Sequence, residues 1–450
     1  MANQIPVQFH GEGSGVGPLT WGQRGVWRAI VRQGSSEFMG GVFPMPDGIT
    51  AEDLADALRY IIGRHQSLRT RLVFDQTGDP SQRVFESGEL SLEVVDAGDD
   101  DVTKVAEDLR RRYESVDFNY ADEWPVRMAA VRQRVGPVYL VAVYNHLAVD
   151  AHALLALVDD LFSRDPVTGA PVGPVTAMQP LEQARLQQLP SAQRQTDGAL
   201  RHWERVLRSV PAQRFGESND ERDPRWWDAT YFSPAAYLAM RSIAASLGTD
   251  TSPVLLAGFA VAMASTVGRN PVVLQIAVSN RFRPGFAASV SPLAQASPCY
   301  LDVADITFAE AVTRAYRAAM TTYLHSYYDP VQRFNLTEAI NEERGEVIDV
   351  QCYFNDRRDA ARDQSPGDVP TTAEIEAALS KSKLTWGPYT AVPEPTFYLD
   401  IDDADGGVEF QLTVDTHYVG PPGMEAFVRA LETVLVEAAK DTSKPTGVRA

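Results

Sequence analysis

Helix-period and strand-period hydrophobicity alternate along all 450 residues, with no internal repeat of solenoid length. The chain is therefore expected to be a mixed α/β molecule, an α+β sandwich, rather than a repeat array. Two stretches carry neither period. Asp165 to Pro174 holds Pro, Gly and Thr and reads as a loop, and a second break falls around Gly216 to Arg225. Between them, Leu186, Leu189, Leu200, Trp203 and Leu207 keep helical spacing across an interruption at Pro190. The expected organisation is two halves of similar size, residues 1–180 and 216–450, joined by a helical bridge over 181–215.

Local signals place the elements. Thr50 can cap a helix running from Ala51 to His65, with Leu54, Leu58 and Ile61/Ile62 on one face. A second helix is expected from Asp101 to Ser115, strands over 125–130 and 138–144, and a third helix over 151–162. The second half repeats the mixture. Helices are expected over 234–247, 252–267, 309–325 and 424–439, and strands over 271–278, 348–354, 396–401 and 408–414. The acidic run Asp402 to Gly407 lacks the alternating oxygens and closing Glu of a calcium loop and reads as a hairpin turn. Asn335-Leu336-Thr337 reads as part of an amphipathic segment, and 362–383 as a surface excursion.

Charge narrows the partners. Sixty Asp and Glu against 41 Lys and Arg leave a formal charge of −19, a field that repels nucleic-acid phosphates and anionic lipid. Neither nucleic acid nor membrane is expected as a partner. Two cysteines, Cys299 and Cys352, cannot build a disulfide framework and read as small buried hydrophobes. With no export signal and no apolar run near 20 residues, the cytoplasm is the expected location.

One segment stands out for chemistry: Tyr144-Asn145-His146-Leu147-Ala148-Val149-Asp150-Ala151-His152. A strand runs into a short loop holding a histidine and, four residues on, an aspartate where a helix begins. Histidine takes and returns a proton near neutral pH, which makes His146 the candidate base. A satisfied, partly buried ring is the plain alternative. Asp150 directly precedes the helix, so capping explains it, and the two roles can coexist. Asn145 can orient the loop or simply form the turn. His146 and His152 do not share the spacing of one helical face, so no metal is expected.

Other chemistry is set aside. The glycine run Gly11 to Gly17 lacks the phosphate-loop Lys and the dinucleotide spacing and reads as a flexible leader. There is no Gly-x-Ser-x-Gly elbow, and neither cysteine stands in a redox or protease context.

At the His146 loop the sequence resembles the condensation domains of nonribosomal peptide synthetases, within the chloramphenicol-acetyltransferase-like superfamily. Their signature is His-His-x-x-x-Asp-Gly. Further segments agree in order: Pro18 to Trp27 is similar to the opening motif, Arg64 to Arg71 to the second, and Phe118 to Arg127 to the stretch before the catalytic strand. Val278-Ser279-Asn280-Arg281 resembles the stretch bearing the arginine that pairs with the motif aspartate. Gln351 to Asn355 resembles the one whose asparagine faces the active site.

The resemblance implies two acetyltransferase-like lobes forming a V-shaped pseudo-dimer around a central tunnel, and acyl transfer from a carrier-bound phosphopantetheine thioester to an amine or alcohol. It implies that His146 is catalytic, that Asp150 pairs with Arg281 to shape the loop, and that Asn355 is a tunnel contact. No bound cofactor is implied. A peptidyl or acyl carrier protein, met in trans if Met1 is the natural start, is the implied partner. Two positions depart from the pattern: Asn145 stands where the family has its first histidine, and Ala151 where it has glycine. Non-catalytic members that recruit a partner enzyme, and coenzyme-A-dependent acyltransferases of the same superfamily, are the alternatives. The run Arg110-Arg111-Arg112 reads as a solvated helix face rather than a carrier-docking patch.

Overall fold

The structure, a computed structural model, describes residues 3–449 apart from 134, 135, 137, 166, 167, 217, 219, 359–368 and 391–394. The chain divides into two compact units: residues 1–195 with 279–295 and 328–331, and residues 196–278 with 296–327 and 332–450. The sequence reading ran the second half unbroken from residue 216. The division falls instead at 195/196, inside a continuous helix, and residues 279–295 belong to the first unit. No change in periodicity or composition marks either point.

In the first unit the elements are β1 (Asn3–His10), β2 (Gly15–Pro18), α1 (Trp21–Gln33), β3 (Phe38–Pro44), α2 (Ala51–Arg64), β4 (Thr70–Phe74), β5 (Pro80–Val84), β6 (Ser87–Asp96), α3 (Val102–Glu114), β7 (Val126–Arg132), β8 (Tyr139–Asn145), α4 (Ala151–Phe162) and α5 (Pro180–Leu186). A helix α6 (Pro190–Ser209) carries the chain across the division. A five-stranded sheet has the order β1-β6-β7-β8-β3, and β2-β5-β4 form a small second sheet.

Alternation explains the layering. Ala142 and Tyr144 of β8 join Met128, Leu92 and Phe9 beneath Leu54, Leu58 and Ile62 of α2 and Ala153 and Leu157 of α4. Val141, with Ala129 and Val131, faces Ala106 and Leu109 of α3 on the other side. Each fully buried leucine or isoleucine here contributes about 2 kcal/mol of apolar transfer. Thr50 caps α2 in a reciprocal box with Asp53, and Asp101 caps α3 through the amides of Thr103 and Lys104.

The glycine run Gly11 to Gly17, expected to be a flexible leader, is structured: β2 pairs with β5, and the buried Arg69 donates to the carbonyls of Glu12 and Gly13. Ahead of it, β1 pairs with β6 along its whole length. β2, Gly15-Val16-Gly17-Pro18, carries no apolar period, so the pattern could not announce it, whereas Ile5, Val7 and Phe9 of β1 do alternate.

Gly40 fixes how β3 meets β8. Its φ is +128°, and a Cβ there would lie 2.0 Å from the Ala142 carbonyl oxygen. Gly40→Ala is expected to cost about 1–3 kcal/mol, read as a lower urea midpoint, because backbone must shift to admit the methyl. An unchanged midpoint would contradict the close approach.

In the second unit the elements are β9 (Trp226–Ser233), α7 (Pro234–Leu247), α8 (Thr251–Val267), β10 (Val272–Val278), β11 (Gln295–Leu301), α9 (Phe308–Leu324), α10 (Pro330–Arg344), β12 (Cys352–Asp356), α11 (Thr372–Ala378), β13 (Lys383–Thr390), β14 (Phe397–Ala404), β15 (Gly407–Asp415) and α12 (Pro421–Lys440). They build a seven-stranded sheet of order β11-β10-β12-β14-β15-β9-β13. Phe354, Phe397, Leu399, Phe410 and Leu412 of this sheet pack into one core with α7, α8, α9 and α12. α8 is apolar on every side because its neighbours enclose it.

No single helix among the described residues is long and apolar enough to cross a membrane, and the apolar pair α7 and α8 is bent by 114° at the break between them. The acidic run forms the expected hairpin, with Ala404 opposite Gly407 and Gly406 at φ +70°. The strand expected over 348–354 is displaced to 352–356, and the Asn335 tripeptide lies in α10. Of the 362–383 excursion, 362–368 lie outside the described residues, and Thr372–Ala378 is helical. Cys299 and Cys352 are free and buried, and burial pushes both thiols up to about 12.

Candidate functional site

β8 delivers the candidate residues from an interior position of a packed sheet. Flanked by β7 and β3, it ends at Asn145. The Asn145 side chain is 4% exposed, and its Oδ1 accepts from the Ala148 amide at 3.1 Å. The Ala148 amide also donates to the Asn145 carbonyl at 3.0 Å, closing a tight turn. Asn145 thus orients the loop, as its side-chain chemistry allows.

His146 is the one residue of Val141 to Asp150 that is only partly buried. Its amide donates to the Glu37 carbonyl at 3.0 Å, and its Nδ1 lies 2.7 Å from the Val149 carbonyl oxygen. A carbonyl can only accept, so Nδ1 carries the proton. In the neutral ring this leaves the Nε2 lone pair free, with no protein hydrogen-bond partner among the described residues. Such a ring can accept a proton from a molecule brought to it.

Asp150 caps α4, accepting from the Ala153 amide at 2.8 Å. The same carboxylate accepts from Arg281 Nη2 at 2.6 Å and from the Leu293 and Ala294 amides at 2.9 and 3.3 Å. Capping and pairing coexist. The side chains of Asp150 and Arg281 are 5% and 9% exposed, so the pair is deeply buried, and Arg281 Nη1 also donates to the Ser289 carbonyl at 2.6 Å. Ala151 opens α4 at an exposed position without positive φ, so its methyl meets no backbone penalty.

Asn280 aims the arginine. It is fully buried at φ +59°, a conformation that asparagine tolerates, and its amide donates to the Leu293 carbonyl at 3.1 Å. Sequence reasoning passed over Asn280 and the Leu293 amide. The only available signal was asparagine's tolerance of left-handed backbone.

The first unit therefore gathers Asn145, His146, Asp150, Ala151 and Arg281. Asn355 belongs to the second unit, where its Nδ2 donates to Asp400 Oδ1 at 2.7 Å and to the Tyr398 hydroxyl at 3.3 Å. Burial raises the Asp400 carboxyl, although the Arg357 charge and the Asn355 hydrogen bond oppose it.

A cavity of about 470 Å³ in the first unit is lined by His152, Arg281, Arg64, His65 and Asp160, among others. Asp160 accepts from Arg64 Nε and Nη2, each at 2.8 Å, and from His65 Nε2 at 3.0 Å. Burial alone would raise its carboxyl. Hydrogen bonds and charge from His65 and Arg64 outweigh that and hold it well below the usual carboxylate range.

A depressed folded value stabilises above the unfolded value of about 3.9, and the contribution fades as pH falls through the folded one. Asp160→Asn is expected to be less stable than the native chain at pH 7, and the gap to narrow below about pH 4. Urea unfolding at both pH values checks this. A gap independent of pH would remove the ion pair as its cause.

Among the described residues no group of three or more His, Cys, Asp or Glu could hold a metal ion. Each arginine of the run at 110–112 engages a nearby carboxylate: Arg110 pairs with Glu107 and Glu114, Arg111 with Asp108, and Arg112 with Glu93.

The family model described as "Condensation domain" matches residues 14–447. The isonitrile lipopeptide synthase of Mycobacterium tuberculosis is 25% identical over 333 residues, which are 68% of this chain and 13% of that protein. This chain thus spans only a small part of the curated relative. Among solved structures, the X-domain from teicoplanin biosynthesis superposes with a TM-score of 0.72 at 17% identity, covering 96% of this chain and 97% of that one. The first condensation domain of the calcium-dependent antibiotic synthetase, in complex with a substrate analogue, gives 0.71 at 15% identity over 98% and 99%. These likenesses establish a shared fold.

Proposed function

Because the chain belongs to the condensation-domain family of nonribosomal peptide and polyketide biosynthesis, we propose that it transfers an acyl or aminoacyl group from a carrier-protein phosphopantetheine thioester to an amine or alcohol. The observation that carries this reading is the His146 ring, whose Nδ1 is tied to the Val149 carbonyl so that Nε2 is left as an acceptor.

In the proposed step the acceptor's nitrogen or oxygen attacks the thioester carbonyl while its proton passes to Nε2. The carbon–sulfur bond then breaks, and the thiolate leaves with that proton. No covalent bond to the protein forms. Holding both reactants in place lowers the barrier by removing the need for a chance encounter. Asp150 and Arg281 do not exchange protons in this scheme; they hold the loop that presents the ring.

The test is transfer from an octanoyl-phosphopantetheinyl carrier protein to benzylamine, followed by mass spectrometry across a panel of donors and amines. Amide product with carrier-bound donors supports the reading. Turnover with octanoyl-coenzyme A and none from any carrier would instead make the chain a coenzyme-A-dependent acyltransferase. No product from any donor, together with tight capture of a partner enzyme, would make it a recruitment module.

A further inference from the structure

A second carboxylate lies on the same ladder as His146. β3 and β8 pair antiparallel with Phe38 opposite Asn145, so the next rung sets Glu37 opposite His146. The hydrogen bond from the His146 amide to the Glu37 carbonyl confirms that rung. Opposed residues of an antiparallel pair project to the same side of the sheet, with Cβ atoms about 5 Å apart.

The backbone before Glu37 is pinned. The Ser36 amide donates to Asp117 at 2.6 Å, and the Ser36 hydroxyl accepts from the Phe118 amide at 3.0 Å and the Tyr120 hydroxyl at 2.8 Å. Tyr120 in turn packs edge-on against Trp27, with ring centroids 5.5 Å apart. These bonds hold the Glu37 backbone, and so its Cβ, in place next to His146, whose charge acts on the Glu37 carboxyl. Among the described residues the Glu37 carboxylate makes no hydrogen bond of its own.

We propose that Glu37 is a positioning residue whose carboxylate is the counter-charge of the imidazolium formed when His146 takes a proton. The inference rests on the acyl-transfer reading for its catalytic consequence, while the charge pairing itself can be measured without substrate. Glu37 exchanges no proton: the acceptor's proton goes to Nε2 and then to the leaving thiolate.

Two charges act on Glu37, that of His146 just beyond β8 and that of Arg32 on α1, and the Tyr120 hydroxyl beside Ser36 feels the Glu37 charge in turn. Burial raises the Glu37 carboxyl, and the charges of His146 and Arg32 oppose that rise. Removing the imidazole must therefore let the carboxyl rise further.

The first measurement follows the Glu37 side-chain carboxyl by carbon-13 NMR titration of the full chain. In His146→Gln its midpoint is expected at higher pH than in the native chain, and in Arg32→Gln a smaller rise is expected. A Glu37 midpoint unmoved by His146→Gln would overturn the pairing.

The second measurement is kinetic, with the octanoyl-carrier donor and benzylamine. Glu37→Gln is expected to lower kcat about tenfold with KM within about twofold, and Glu37→Asp to recover part of the loss. In the His146→Gln background Glu37→Gln should have no further effect. A raised KM at unchanged kcat, or a loss that persists without His146, would overturn the positioning role. If the native chain transfers nothing while the Glu37 midpoint still answers to His146→Gln, acyl transfer falls and the charge pair stands.

Discussion

His146→Ala is expected to lose transfer by about 10²–10⁴-fold, the usual worth of a positioned general base, with the melting temperature little changed. The fold should survive because the turn beneath the ring is held by Asn145 and the Ala148 amide, and the helix beyond it by Asp150. Among the described residues the one hydrogen bond lost with the ring is that of Nδ1 to the Val149 carbonyl. Turnover measured beside a melting curve separates chemistry from folding. A fully active, folded His146→Ala protein would remove the imidazole as base and leave the acceptor's own basicity to carry the step.

The second large effect is expected in stability. Asp150→Ala removes a carboxylate that accepts four hydrogen bonds at once and leaves the Arg281 guanidinium buried without its counter-charge. Breaking a buried pair in this way costs about 3–5 kcal/mol. The melting temperature of the unit should fall by about 10 °C or more, with activity lost alongside.

Arg281→Met should be milder, because Asp150 then keeps three backbone donors, whereas Asp150→Ala strips the guanidinium of the one carboxylate it meets among the described residues. Asp150→Asn should fall between them, since its oxygen can still cap α4. Urea unfolding of the three variants gives the order. A stable but inactive Asp150→Ala protein would show that the carboxylate acts in the chemistry rather than in the architecture.

What the sequence discloses follows from how far each interaction reaches along the chain. Thr50 and Asp101 were legible as caps because a cap involves residues two or three positions away. Asp150 was legible as a cap for the same reason. Its pairing with Arg281 was expected only through resemblance, since nothing in the spacing brings residue 281 to residue 150.

Glu37 was invisible, because its relation to His146 exists only once β3 and β8 have taken their register. β2 of the small sheet was not legible because Gly15 and Gly17 offer no apolar face. α1 went unannounced because its buried residues, Trp21, Gly22, Gln23 and Ile30, are too mixed in character for a periodic stripe.

The assignment of residues 279–295 to the first unit bears on how the protein comes into being. A ribosome that has released residues 1–195 has made almost all of that unit, yet the anionic Asp150 carboxylate at the foot of the His146 loop still lacks Arg281 and the two amides that will cover it. Completion waits while the intervening stretch is synthesised. Until then a charge destined for the interior faces water, so a nascent chain stalled before Arg281 would be open to proteolysis at this loop, and one stalled beyond Gln295 would be closed.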